Sequence, residues 1–101
     1  MSQSQSELSV SLSKAWALQN TGKHTDSVAE FEKLLVKHPD DLDVMYGLGL
    51  AQKSAGLRDR ALTTFTKLAE VVEEQLAANP ASDRFQMLTR MVQQRLSELG
   101  S

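Results

Sequence analysis

Few residues of this chain could do covalent or proton-transfer chemistry. His24 and His38 are the only histidines, and each stands beside a turn signal: Gly22-Lys23 for the first and Pro39 for the second. Their places suit solvated or helix-end residues. There is no cysteine, which removes disulfides, thiolate metal ligands and cysteine nucleophiles together. Glu73 and Glu74 are adjacent acids, but neighbours on a helix point about 100° apart and do not face each other as an acid and a base. Gly47 and Gly49 are no phosphate cradle, because they fall inside a helical pattern. All five arginines lie beyond residue 50, where seven Lys plus Arg meet six acids; residues 1–50 carry four Lys against seven acids. A net charge of −2 gives no general pull on nucleic acid. An enzyme reading fails on this inventory. A nucleic-acid accessory role through Arg84, Arg90 and Arg95 is a minor alternative.

What must position any site is a single helical domain. The 101 residues, 41% hydrophobic and 24% charged, have an ordinary globular composition and room for one modest core. Residues 1–6, MSQSQS, are too polar to bury and are expected to be a disordered tail. They lack the basic start and apolar run of an export signal. No segment approaches the roughly 20 apolar residues that span a bilayer, so the expected location is cytoplasmic. The starting Met and the terminal Gly100-Ser101 are compatible with a complete short chain.

Five helices follow from periodicity and punctuation. The first starts at Ser6 or Glu7, with Ser4 and Glu7 as a capping box. It carries Leu8, Leu12, Ala15 and Trp16 and stops at Gly22. The second is capped by Thr25-Asp26, carries Val28, Phe31, Leu34 and Leu35, and is closed by Pro39. The third runs from Asp40-Asp41 to Ala55 with Val44, Met45, Leu48, Leu50 and Ala51. Gly47 and Gly49 lie within it, each costing about 1 kcal/mol against Ala, so something must offset them. The fourth is capped by Asp59 and carries an unbroken stripe from Ala61 through Phe65, Leu68 and Val72 to Leu76. The fifth starts at Asn79-Pro80 or at Ser82, runs to Leu99 and is ended by Gly100.

One unit is used twice. Gly22 aligns with Gly56, Thr25 with Asp59, Phe31 with Phe65, Lys33 with Lys67 and Leu34 with Leu68, all at a spacing of 34 residues. The second unit reads Met45-x2-Leu48-Gly49 and then Ala61-x3-Phe65. The first reads Ser27-x3-Phe31 and then Pro39, with Ser11 and Lys14 in its early apolar places. Over about residues 8–99 this resembles the tetratricopeptide repeat family, whose pattern is W-x2-L-G-x2-Y, A-x3-F and P. In that register a proline belongs at position 73, where Glu73 stands. With Pro80 two turns later, the fourth helix should be longer, about 20 residues or 30 Å.

The resemblance implies an all-α fold of antiparallel helix-turn-helix repeats in a right-handed superhelix. A single domain over 7–101 would hold repeat one at 8–41, repeat two at 42–79 and a capping helix at 80–99. Phe85-x2-Leu88-Thr89-x2-Val92 resembles the start of a third repeat. Arg84, Arg90, Gln93, Gln94, Arg95 and Glu98 would form the outward polar face of that last helix.

The resemblance also implies a non-enzymatic scaffold or adaptor, without cofactor, whose first helices line a concave groove. Transferred position by position, the contacts are Ser9, Leu12, Trp16, Gln19 and Asn20 in repeat one, and Asp43, Tyr46, Leu50, Lys53 and Ser54 in repeat two. The partner-binding set is Leu12, Trp16, Gln19, Asn20, Asp43, Tyr46, Leu50 and Lys53, which includes the sole Trp and sole Tyr of the chain. Relatives that clamp a chaperone's C-terminal carboxylate use Lys, Arg and Asn; Leu12, Trp16 and Gly47 stand where members of that set would be. The expected partner is therefore an apolar or amphipathic protein segment and no membrane, with nucleic acid only the minor alternative given above. Two alternatives stand beside this. Leu12 and Trp16 could pack as core on a rotated first helix. A homodimer could cover the stripe of the fourth helix, since about two and a half repeats is fewer than the usual three, unless the fifth helix covers it alone.

Overall fold

A computed structural model describes residues 3–100, with side chains from Glu7 onward. Among the described residues there are five helices: α1 Gln3–Asn20, α2 His24–Lys37, α3 Leu42–Ser54, α4 Arg58–Ala78 and α5 Asp83–Gly100. Each packs on the next in sequence, and α1 also touches α3. The result is an all-α stack of antiparallel hairpins, with α1, α3 and α5 in one layer and α2 and α4 in the other. Its shortest extent, 20 Å, is two helix diameters of about 10 Å each.

The hairpin turns are built alike. Gly22 and Gly56 have φ of 83° and 80°, a left-handed conformation that glycine adopts without the Cβ penalty. In each turn the glycine and the residue after it bond back to the helix just ended. Lys23 N–H donates to Leu18 C=O at 2.9 Å and Gly22 N–H to Gln19 C=O at 3.3 Å; Leu57 N–H donates to Gln52 C=O at 2.8 Å and Gly56 N–H to Lys53 C=O at 3.1 Å. This pattern satisfies carbonyls that a helix end otherwise leaves unpaired.

The tight turns correct the expected caps. The chain leaves each glycine directly into the next helix, so α2 is capped by Lys23 and α4 by Leu57, neither with a side-chain bond. Thr25 and Asp59 lie one residue inside the first turn, where Asp59 still suits the positive helix end. Asp41 does cap α3, accepting from Val44 N–H at 3.0 Å. Of the two starts expected for α5, Ser82 is the one used: its Oγ accepts from Phe85 N–H at 3.2 Å. Gly100 is the last residue of α5 and not a stop beyond it. At the other end α1 starts at Gln3, so residues 3–6, expected as a tail, are helical and Ser4 is no cap. No Gly or Pro stands before Leu8 to stop the helix there.

The glycines inside α3 are explained by the rings that lie on them. A Cβ on Gly47 would stand 2.5 Å from Phe31 Cζ of α2, and one on Gly49 would stand 2.6 Å from Phe65 Cζ of α4. Both rings are fully buried. Burying a Phe stabilises by about 1.5–3 kcal/mol, against about 1 kcal/mol lost per glycine, so the close approach wins. Around each ring grows one half of the core. Ala15, Val28, Leu34, Val44, Leu48 and Ala51 surround Phe31, and Met45, Ala61, Leu68, Val72, Leu88 and Val92 surround Phe65.

Repeat one departs from repeat two where its neighbours differ. Leu48 packs between α1 and α2 in the first half of the core. Lys14, its counterpart 34 residues earlier, is exposed and lies 3.6 Å from Glu30 of α2. The α4 stripe is covered from within the chain: Phe65, Leu68 and Val72 are buried together with Leu88, Val92 and Leu99 of α5. That stripe therefore does not require a second copy. With 21 residues α4 is two turns longer than the repeat register allows, which gives α5 a wall to pack on.

Gly47→Ala and Gly49→Ala should each lower unfolding free energy in urea by about 1–3 kcal/mol through overpacking, although alanine is the better helix former. Phe31→Leu should recover part of the loss in the Gly47→Ala background and none in the Gly49→Ala background. A neutral or stabilised single variant would show that α3 does not depend on the close approach.

Candidate functional site

Helices α1, α3 and α5 run side by side in the same direction, with α3 tied to α5 at both ends and to α1 at one. Near their starts Arg84 of α5 lies 3.6 Å from Asp43 of α3. Near their ends Gln19 of α1 donates to Ser54 Oγ of α3 at 2.8 Å, and Lys53 of α3 is ion-paired and hydrogen-bonded to Glu98 of α5. Between these ties lies an open groove of about 590 Å³, the size of an ordinary ligand cleft.

Leu12, Trp16 and Ala17 of α1, Tyr46 of α3, and Leu88 and Met91 of α5 supply its apolar surface. Ser9, Ser13, Asn20 and Asp43 make the polar part. Trp16 and Tyr46 are half-buried, and each stands edge-on to the phenylalanine of its own repeat. Trp16 meets Phe31 at 5.3 Å and 81°, and Tyr46 meets Phe65 at 5.8 Å and 66°. Such pairs contribute about 0.5–1.5 kcal/mol beyond burial and fix the ring planes. Each ring thus contacts the core phenylalanine of its repeat and also borders the groove.

Of the eight residues expected to contact a partner, Leu12, Trp16, Asn20, Asp43 and Tyr46 line this groove together. The other three serve the frame. Gln19 links Ser54 to His24, whose Nδ1 lies 2.9 Å from Gln19 Oε1. Leu50 packs against the second half of the core. Lys53 is engaged by Glu98. Leu88 and Met91 were not anticipated as lining residues. An i, i+3 spacing of apolar residues beside the polar face of α5 is the signal that could have found them, but the lengthened α4 shifts α5 out of the repeat register.

Among the described residues Asp43 is the sole charged residue of the lining, and no lysine or arginine lines the groove. Of the residues expected on an outward polar face, Arg84, Arg90, Gln93, Gln94 and Glu98 are exposed and Arg95 is partly buried, and some also pair: Arg84 reaches Asp43, and Arg95 Nη2 lies 3.4 Å from Glu98. Arg84 and Arg95 share one line of α5, while Arg90 stands on another side, since six residues turn a helix through about 240° beyond a full circle. The three arginines do not form one patch. His38 is the C-cap of α2, and Glu73 and Glu74 are exposed on α4. Among the described residues no three His, Asp or Glu side chains stand together as a metal set, and no helix is long and apolar enough to cross a membrane.

Stacked antiparallel hairpins with a groove along their first helices define a helical-repeat interaction scaffold. A tetratricopeptide repeat family model matches residues 10–41 and 43–71, and the chain belongs to that family. Repeats of this family mediate protein–protein interaction and are generally non-enzymatic. No curated protein and no solved structure matches the chain.

The tie at the end of α5 should show in its titration. The hydrogen bond from Lys53, helped by the charges of Arg95 and Lys53, holds the Glu98 carboxyl below its ordinary value of 4.5. A carboxyl lowered on folding adds stability above its unfolded pKa and loses it as pH falls through the folded one. The Glu98 contribution should therefore be complete above about pH 4.5 and fade below it. Carboxyl NMR titration should show Lys53→Met moving Glu98 upward; an unchanged value would mean that the tie does not form in solution.

Proposed function

We propose that this chain is an adaptor whose groove between α1, α3 and α5 receives an apolar or amphipathic helix from another protein. The observation that carries the reading is the meeting of Leu12, Trp16, Tyr46, Leu88 and Met91 along one open groove. A helix laid in such a groove buries one side-chain stripe and leaves its polar face in water. Partly exposed aromatic rings with fixed planes lose little entropy on binding and recur at hot spots. Among the described residues the lining carries no basic side chain and one acid, Asp43, with Arg84 at the rim already engaged by it, which favours an apolar stripe over an acidic peptide tail.

Selection from a displayed library of random helical peptides tests the reading. The peptides retained should carry apolar residues at i, i+3 or i+4, and i+7, and Trp16→Ala should weaken them by about 2 kcal/mol, roughly 30-fold, while far-UV helicity stays near the parent value. Collapse of helicity in Trp16→Ala would place that ring in the core and remove the reading. Light scattering provides the second decision. A dimeric parent with a folded, monomeric Trp16→Ala would make a second copy of the chain the occupant, in place of an outside helix.

A further inference from the structure

The methionines of this chain are unevenly placed. Met45 is 2% exposed inside the core beside Phe65, whereas Met91 is 37% and Met87 61% exposed on α5. Met91 lines the groove together with Trp16 and Tyr46. Met87 lies one helical turn before Met91, so the two thioethers share a face at the groove's edge. Unbranched thioether side chains adapt to varied apolar partners, which makes them useful on a binding surface and vulnerable there. Oxidation turns such a side chain into a polar, chiral sulfoxide.

Taking the groove as the binding site of the preceding section, we infer that Met87 and Met91 make it responsive to hydroperoxides, their oxidation releasing an apolar occupant. The reaction needs only hydrogen peroxide or an organic hydroperoxide. The thioether sulfur attacks one peroxide oxygen, the O–O bond breaks as the S–O bond forms, and the sulfur gives up two electrons. The peroxide leaves as water, or as an alcohol, after a proton shift to the departing oxygen. The new S=O group takes its hydrogen bonds from the water of the open groove, and an apolar occupant laid over it would strip that water while supplying no donor. The product is reversible by sulfoxide reductases, as a regulatory site requires.

The test uses the whole chain, hydrogen peroxide and the neutral apolar dye Nile red as groove probe. Peptide mapping by mass should show oxygen gained at Met91 and Met87 well before Met45. Nile red affinity should fall about tenfold or more in the oxidised chain at unchanged helicity and return after reductase treatment, whereas Met87→Leu/Met91→Leu, whatever its own starting affinity, should show no such fall between its untreated and peroxide-treated forms. Equal rates at Met45, or dye binding that survives oxidation, would overturn this proposal alone. Loss of helicity with loss of binding would also overturn it, because unfolding would then be the cause. Failure of the dye to bind the untreated chain, or binding unaffected by Trp16→Ala, would overturn the groove reading itself.

Discussion

Two phenylalanine rings pressed onto two glycines of one helix set the spacing of the whole stack. Phe31 reaches α3 from α2 over Gly47, and Phe65 reaches it from α4 over Gly49. With any larger residue at either place, α3 would stand off from its neighbour and the buried halves of the core would separate. The consequence extends to the surface. Trp16 and Tyr46 lean edge-on against those same rings, so the groove aromatics take their positions from the core. A groove held this way is preformed, and an occupant does not bear the entropy of ordering it.

What the sequence makes legible is what depends on local chemistry. Gly22, Gly56 and Pro39 mark ends that their backbone constraints enforce, and the late Pro80 announces the long α4 without any knowledge of its neighbours. The repeat spacing carries the hairpin order, and five of the eight expected contact residues come together because they sit on faces that the hairpins turn inward. Helix starts were less legible. Thr25 and Asp59 look like caps, but the returning bonds at Lys23 and Leu57 fix the start two residues earlier. Gly47 had no local explanation, since its reason lies on α2.

The remaining differences are also long-range. Gln19 and Lys53 belong to a contact register in the family pattern, yet each has a partner outside its own helix, Ser54 and Glu98, that spacing along one helix cannot reveal. Buried polar groups follow the same logic. Ser27 stands where repeat two has Ala61, and its hydroxyl is satisfied by Ala15 C=O at 2.9 Å. Gln52 replaces the family's aromatic and accepts from Thr64 at 2.6 Å. Both substitutions are tolerated because each buried polar side chain has a partner.

The distribution of apolar surface then follows from how the stack is finished. At the α1 face Lys14 stands where Leu48 packs in repeat two, so a charge occupies the place of a core residue. At the other end α5 buries Leu88, Val92 and Leu99 against the α4 stripe. Of the large apolar side chains still exposed, Val36 stands alone on α2, as single surface valines commonly do. Val10, 70% exposed, shares a line of α1 with Ser13 and Ala17 of the groove, and Met87 shares one with Met91. Among the described residues three of the four large exposed apolar side chains thus flank one groove whose floor is also apolar. Single exposed apolar side chains are ordinary on a surface, whereas exposure gathered along one cleft joins with its apolar floor into one contiguous patch.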